Sequence, residues 1–283
     1  MKLLQTIDEM RAFSRNARSS NNCLGLVPTM GALHEGHLSL VRAAREKSDV
    51  VAVSVFVNPT QFGPKEDFSK YPRDLKKDCA LLEKESVDVV FAPTSGEMYG
   101  SQPITWVSVE GMSDRLCGRS RPGHFRGVTT VVAKLFNIVE PDVAFFGQKD
   151  AAQVAIIRRM VRDLKFPISI EVCPIVRESN GLALSSRNAY LSAQERTSAL
   201  VLYRSLKRVK AEFDRGERDP AKLIAEGKAE FSSDPRARLD YLEIVDPDSL
   251  ESVITIAKPA LVAVAGFVGN TRLIDNLVLS PAE

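Results

Sequence analysis

Between residues 24 and 176 the chain alternates short apolar, β-branched runs with longer stretches whose apolar positions recur every three or four residues. That alternation is the sequence form of a parallel α/β sheet. The runs at 24–27, 50–57, 87–91, 143–146 and 168–175 predict strands, and their nearly continuous apolar character predicts cover on both faces. Helical periodicity at 38–47, 75–84, 128–139 and 151–164 supplies the crossovers, the third being the most uniformly apolar and so expected to be the most buried. Ahead of them, Thr6-Ile7-Asp8-Glu9 has the form of a capping box, opening a helix with Ile7, Met10 and Phe13 on one face.

After Asn180-Gly181 the pattern changes. Helical text at 193–213 and 221–231 is split by the charged break Asp214-Arg215-Gly216-Glu217-Arg218-Asp219-Pro220. Strand-like runs at 239–245, 261–267 and 271–278 then follow one another, the last two joined by the hairpin signal Val268-Gly269-Asn270. The expected fold class is α/β. A Rossmann-like nucleotide-binding domain over residues 1–180 is expected to precede a smaller α+β domain over 181–283, placed to serve as a lid.

Composition narrows the function. A length of 283 residues with 44% hydrophobic side chains allows about two domains with full cores. Thirty-eight basic against 36 acidic residues leave a net charge of +2, too little for a global grip on nucleic acid. Any anion site must therefore be local. Cys23, Cys79, Cys117 and Cys173 are far apart, without Cys-x-x-Cys or histidine at zinc spacing, which argues against structural zinc and a disulfide framework. The N-terminus lacks a signal-peptide core and no apolar run approaches a membrane span, so a soluble, cytoplasmic chain is the expectation.

Five clusters carry candidate chemistry. Pro28-Thr29-Met30-Gly31-Ala32-Leu33-His34-Glu35-Gly36-His37 joins the first predicted strand to a helix, placing two imidazoles on one face beside a positive helix end. That arrangement suits phosphate, and Gly36 suits close backbone approach; two surface histidines on a helix shoulder are the plainer reading. Val57-Asn58-Pro59-Thr60-Gln61-Phe62-Gly63-Pro64 follows a second strand, and Gln61 offers a donor and an acceptor to a polar ligand, unless the segment is only a surface loop. In Phe146-Gly147-Gln148-Lys149-Asp150-Ala151-Ala152-Gln153, Lys149 stands at a helix start, where a cation is out of place without an anion. Asp150 alone is an ordinary helix-opening acid. Arg177 to Asn188 contains Leu184, Ser185, Ser186 and Arg187 after a turn dipeptide, reading as a mobile polyphosphate loop or a plain linker. Arg119-Ser120-Arg121-Pro122-Gly123-His124-Phe125-Arg126-Gly127 is a basic loop or a solvated charge cluster, and the roles of Arg119 and His124 stay open.

Four of the five clusters follow predicted parallel strands, whose carboxyl ends form one rim. Together they suit a nucleoside triphosphate and a small anionic co-substrate. Neither G-x-x-x-x-G-K-[ST] nor G-x-G-x-x-G is present, which disfavours P-loop phosphoryl transfer and hydride transfer.

His34-Glu35-Gly36-His37 resembles the H-x-G-H signature of the nucleotidyltransferase superfamily. With the Pro28 to His37, Val57 to Gly63, Arg121 to Val128, Gly147 to Asp150 and Leu184 to Asn188 segments, in this order, the whole chain resembles the pantoate–β-alanine ligase family. The resemblance implies ligation of D-pantoate to β-alanine in pantothenate and coenzyme A biosynthesis, through a pantoyl adenylate, with release of AMP and pyrophosphate. It implies ATP contacts at Met30, Gly31, Ala32, Leu33, His34, Glu35, Gly36, His37, Gly147, Gln148, Lys149, Asp150, Val176, Leu184, Ser185, Ser186 and Arg187. Gln61, Gln153 and Arg121 would hold pantoate and β-alanine, with His37, His34 and Lys149 catalytic and His37 the residue usually assigned as proton donor. Leu184 stands where the family often has Met, a near-isosteric swap. Mg²⁺ is expected on the triphosphate with few protein ligands and no protein metal site. A homodimer is implied, without nucleic-acid or membrane partners. An adenylyltransferase acting on a phosphorylated acceptor would share His34 and His37, and an RNA-binding module would share the fold.

Overall fold

A computed structural model describes residues 1–64 and 66–281. The chain opens with β1 (Lys2–Leu4) and α1 (Ile7–Ser19), the latter closed at its start by the Thr6/Glu9 capping box. The parallel units then run β2 (Leu24–Thr29), α2 (Glu35–Lys47), β3 (Val50–Val55), α3 (Leu75–Lys84) and β4 (Val89–Phe91). Two short helices, α4 (Ser95–Tyr99) and α5 (Cys117–Ser120), lead into α6 (His124–Val139), β5 (Val143–Gly147), α7 (Ala151–Leu164) and β6 (Ser169–Cys173). The remainder is α8 (Ala193–Asp214), α9 (Pro220–Ser232), β7 (Ala237–Val245), β8 (Ala260–Val268) and β9 (Thr271–Leu279).

Strands β1 to β6 form one parallel sheet in the order β1-β4-β3-β2-β5-β6. The strand runs are apolar because both faces are covered. Leu24, Leu26, Val89 and Phe91 pack with α6 on one face, while Val27, Val51, Val53 and Val90 pack with α2 and α3 on the other. Helix α6, the most apolar helix in the sequence, is also buried over most of its length. Lys2–Leu4 was not expected as a strand. Its lysine and first leucine are exposed, so it lacks the apolar run that marks the other five.

The strand order reverses between β2 and β5, and such a switch point opens a crevice at the carboxyl ends. Here the opening is visible in the register. β2 pairs with β3 along its full length, Leu24 to Thr29, but with β5 only at Gly25 and Leu26. Beyond those two rungs β2 and β5 part, and the segments leaving their ends face one another.

β7, β8 and β9 form a separate antiparallel sheet packed on α8 and α9. One apolar cluster belongs to both halves, joining Leu116, Phe125 and Ile156 to Tyr241, Leu261 and Ala265. Contact between the halves is therefore a dry, packed surface as well as a cleft. No helix among the described residues is long and apolar enough to cross a membrane.

Candidate active site

The β2–α2 junction is built around its two histidines. His34 is the N-cap of α2 with extended backbone, and its Nδ1 accepts from the Gly36 amide at 3.1 Å. His37 Nδ1 accepts from the His34 amide at 3.4 Å, so the pair closes a capping box in which imidazoles replace the usual hydroxyl and carboxylate. The rings lie 4.1 Å apart between centroids. With both Nδ1 atoms accepting, the ring protons sit on Nε2, which leaves two neutral donors on one face. Gly36 is needed at close range by the protein itself. A Cβ there would come within 2.9 Å of the His34 ring.

The turn before His34 is held from a distance. Gly31 and Ala32 have φ of +76° and +51°, and the amides of Ala32 and Leu33 donate to the two carboxylate oxygens of Asp78 at 3.0 and 2.9 Å. Burial pushes the Asp78 carboxyl up, against these hydrogen bonds. Asp78 was not singled out in the sequence, although Leu75, Asp78 and Leu82 share one stripe of α3. A carboxylate on that stripe is the signal that was available.

Burial drives the His37 pKa down to about 3, helped by the charges of His34 and Lys149. Burial likewise takes His34 to about 4, with Lys149 adding to the shift. His124 also falls to about 4, through burial and then Arg121. Its tautomer is the opposite one. His124 Nδ1 donates to the Gln61 carbonyl at 2.8 Å while Nε2 faces an Arg121 guanidinium nitrogen at 3.0 Å. All three histidines are thus neutral near pH 7. Between pH 6.5 and about 4 the unfolded chain binds protons that the folded chain refuses, so stability rises with pH in that window and is lost on acidification. Denaturant midpoints measured across it are expected to fall steadily as pH is lowered; a rising midpoint would contradict the assignment.

Gln61 closes a short 3₁₀ turn, Pro59–Gln61, capped by Asn58. It is only 8% exposed, its Oε1 accepting from Asn58 Nδ2 at 3.1 Å and its Nε2 lying 3.0 Å from Met30 Sδ. The freedom expected of a ligand-reading amide is therefore mostly spent on neighbours, with one amide hydrogen remaining. Helix α6 lies directly against this turn, since a Cβ on Gly127 would meet the Thr60 carbonyl oxygen at 2.4 Å. That contact explains how the fifth cluster, the one that follows no strand, reaches the rim.

A cavity of about 730 Å³ between the two sheets is lined by Arg121, His124, Lys149, Asp150, Gln153, Ser185 and Arg187 among others. Its far wall is made by Cys117, Tyr241 and Arg272, where Arg272 and Ser120 both bind Asp240 at a bulge in β7. Met30, His34, His37 and Gln61 are absent from this lining, and it is Lys149, close enough to depress both histidines, that connects them to the cavity.

Charge on the rim is already matched in most places. Arg121 binds Glu66 through two bonds of 2.7 and 2.6 Å, and Arg187 binds Asp67 at 3.1 and 2.9 Å. Burial raises both carboxyls, but their arginine partners outweigh it and hold each below its ordinary value. Among the described residues Lys149 has only Asp150, at 3.8 Å. The exposed Arg119 pairs with Glu243 across the two halves and takes no place on the rim.

The Arg177 to Asn188 segment, expected as a mobile polyphosphate loop or a plain linker, is folded back on itself. Arg177 and Ala183 form an antiparallel bridge, Leu184 N donates to the Val176 carbonyl at 3.0 Å, and Gly181 (φ +98°) lies where a Cβ would strike the Tyr203 ring. Ser185 caps the 3₁₀ turn Ser186–Tyr190, and the Ser186 hydroxyl meets Tyr71 at 3.2 Å. Lys149 lies in the 3₁₀ turn Gln148–Asp150, immediately before α7 and not inside it.

The family model described as pantoate-beta-alanine ligase matches residues 2–278 of the chain. Among curated relatives, a pantothenate synthetase of Koribacter versatilis is 58% identical over 282 residues, covering 100% of this chain and 97% of the relative. One from Thermotoga petrophila is 56% identical over 279 residues, covering 99% and 100%. A pantothenate synthetase structure from Thermus thermophilus superposes with a TM-score of 0.95 at 47% identity, covering 99% and 100%. A pantoate-beta-alanine ligase from Francisella tularensis, complexed with beta-gamma ATP and beta-alanine, superposes with a TM-score of 0.81 at 33% identity, covering 98% and 97%.

Proposed function

Because the chain belongs to the pantoate–β-alanine ligase family, we propose that its rim joins D-pantoate to β-alanine through a pantoyl adenylate formed from ATP. The observation that carries this reading is the pair of imidazoles held as Nε2–H donors by the α2 capping box, at the end of β2 where it parts from β5. In the first step a pantoate carboxylate oxygen attacks the α-phosphorus, the bond to the bridging oxygen breaks, and pyrophosphate leaves. Charge grows on the α-phosphate oxygens and on the leaving group, and fixed donors are the means of stabilising it. His34 and His37 supply Nε2–H donors there. Lys149, Ser185, Ser186 and Arg187 serve the β and γ phosphates, with Arg187 passing from Asp67 to phosphate.

The family assignment of His37 as proton donor takes a specific form here. A group with a pKa of about 3 carries no dissociable imidazolium proton at pH 7 and acts by hydrogen bonding. Gln61, Gln153 and Arg121 hold pantoate and β-alanine. In the second step the amine attacks the acyl carbon, the acyl–phosphate bond breaks, AMP departs and the amine proton passes to solvent. Residues 1–180 are read as the catalytic domain and 181–283 as its partner over the cleft. Mg²⁺ would be carried on the triphosphate, where it would neutralise phosphate charge. Glu66 and Asp67 are engaged by arginines and Asp150 meets Lys149 at 3.8 Å, so Asp150 is the least tightly held of the three and would face the ion.

Supplying ATP, D-pantoate and β-alanine singly and together tests the reading. Pyrophosphate is expected from ATP plus pantoate alone, at about one per site, with AMP and pantothenate appearing only when β-alanine is added. ADP and phosphate as products would overturn it.

A further inference from the structure

We propose that Asn276, on β9 of the second sheet, is the positioning residue for Lys149, so that the C-terminal half sets the phosphate-facing amine from outside the Rossmann-like unit. The proposal rests on the role given to Lys149 above. The Gln148–Asp150 turn has no side-chain cap of its own, and neither does the start of α7 behind it. What fixes it comes from 128 residues away. Asn276 Nδ2 donates to the carbonyls of Gln148 and Lys149, both at 2.9 Å, and its Oδ1 accepts from Gln148 Nε2 at 3.0 Å.

One side chain thus satisfies three polar groups of a two-residue segment, and two of these set the orientation of successive peptides. Asn276 is 3% exposed, so no water replaces it cheaply. Its own placement is stiff. It pairs with Ala263 in the β8–β9 ladder, and its amide donates to Asp275 Oδ1 at 2.8 Å. Asp275 in turn holds Arg177 through bonds of 2.6 and 2.8 Å, and Arg177 donates to the Gly181 carbonyl at 3.1 Å. The Asp275-Asn276 pair therefore ties both the Lys149 turn and the base of the Ser185 to Arg187 loop to the second sheet. Side chains of successive strand residues point to opposite faces, so one dipeptide serves both.

A displacement of about 1 Å in a group acting on the transition state costs on the order of 10²-fold. Asn276→Ala is expected to slow pantoate-dependent pyrophosphate release by about 10- to 100-fold, through kcat more than the KM for ATP. Attack of β-alanine on supplied pantoyl adenylate should change by less than about threefold, which also reports that the protein is folded. Asn276→Asp keeps size and the acceptor but loses both donors to carbonyls, so it should be no better than alanine; a space-filling role predicts rescue. The decisive comparison uses the Lys149→Ala background. If Asn276 acts through Lys149, adding Asn276→Ala there changes pyrophosphate release by less than about twofold. Full multiplication of the two effects would overturn the positioning role while leaving Lys149 in place. Near wild-type release by Lys149→Ala alone would overturn the reading of Lys149, and this proposal with it.

Discussion

His37→Ala is expected to slow pantoate-dependent pyrophosphate release by about 10²-fold or more while leaving β-alanine attack on supplied pantoyl adenylate within a few-fold of wild type. The magnitude is that of one fixed donor lost from a site where charge develops in the transition state. Two features separate this from loss of a proton-transferring acid. His37→Gln, which keeps an uncharged N–H donor, should recover part of the rate, and the wild-type rate should show no histidine inflection between about pH 5.5 and 8, since the His37 pKa is held near 3. An inflection near the ordinary histidine value that vanishes in His37→Ala would refute the neutral-donor account. His34→Ala is expected to act in the same direction with an added stability cost. Its Nδ1 caps α2 through the Gly36 amide, a contact whose loss is typically about 1 kcal/mol.

Lys149→Ala should have the second large effect, again of about 10²-fold on pyrophosphate release and again confined to the first half-reaction. The reason is electrostatic. Arg121 and Arg187 are each bound to a carboxylate, whereas Lys149 meets Asp150 only at 3.8 Å and is the least committed of these three cations. On the proposed reading an arriving triphosphate would find its charge available at once. The same substitution carries an independent signature, because Lys149 depresses both His34 and His37. Removing it should move both histidine titrations upward, towards the ordinary value, by proton magnetic resonance. Equal losses in both half-reactions would point to a general disturbance of the fold, and unshifted titrations would remove Lys149 from the neighbourhood of the imidazoles.

Much of this architecture was legible along the chain. The apolar runs marked β2 to β9 and the 3.6-residue periodicity marked the principal helices, with boundaries that moved by a few residues, as at α2, where the cap is His34 and not the residues before Leu38. The chemistry-bearing clusters were visible because strand-to-helix junctions concentrate Gly, His, Lys and Asn where the backbone turns. What escaped was long-range. Asp78 reads locally as one more polar residue on a charged helix, yet it accepts from amides 45 and 46 positions away. Glu66 and Asp67 were not singled out, yet they meet arginines 55 and 120 positions away. Asn276 lies in a plain hairpin strand, and nothing in its neighbours shows that it faces Gln148. The Arg177 to Ala183 segment erred the other way. Asn180-Gly181 signals a turn, and the turn proved to be part of a bridge packed against Tyr203.

On the proposed mechanism these contacts would give the second sheet a part in the first half-reaction. Its Asn276 reaches the Lys149 turn, its Asp275 reaches the base of the serine–arginine loop, and the apolar cluster around Phe125, Ile156 and Leu261 keeps the two halves in register.

On the proposed route the pantoate carboxylate attacks the α-phosphorus before β-alanine enters. Pantoate carrying heavy oxygen in its carboxylate tests it most directly, by mass analysis of the nucleotide released when all three substrates turn over. The two-step route transfers one labelled oxygen to each AMP, because the acyl–phosphate bond later breaks at the carbonyl carbon. Unlabelled AMP, or label recovered in inorganic phosphate beside ADP, would contradict it.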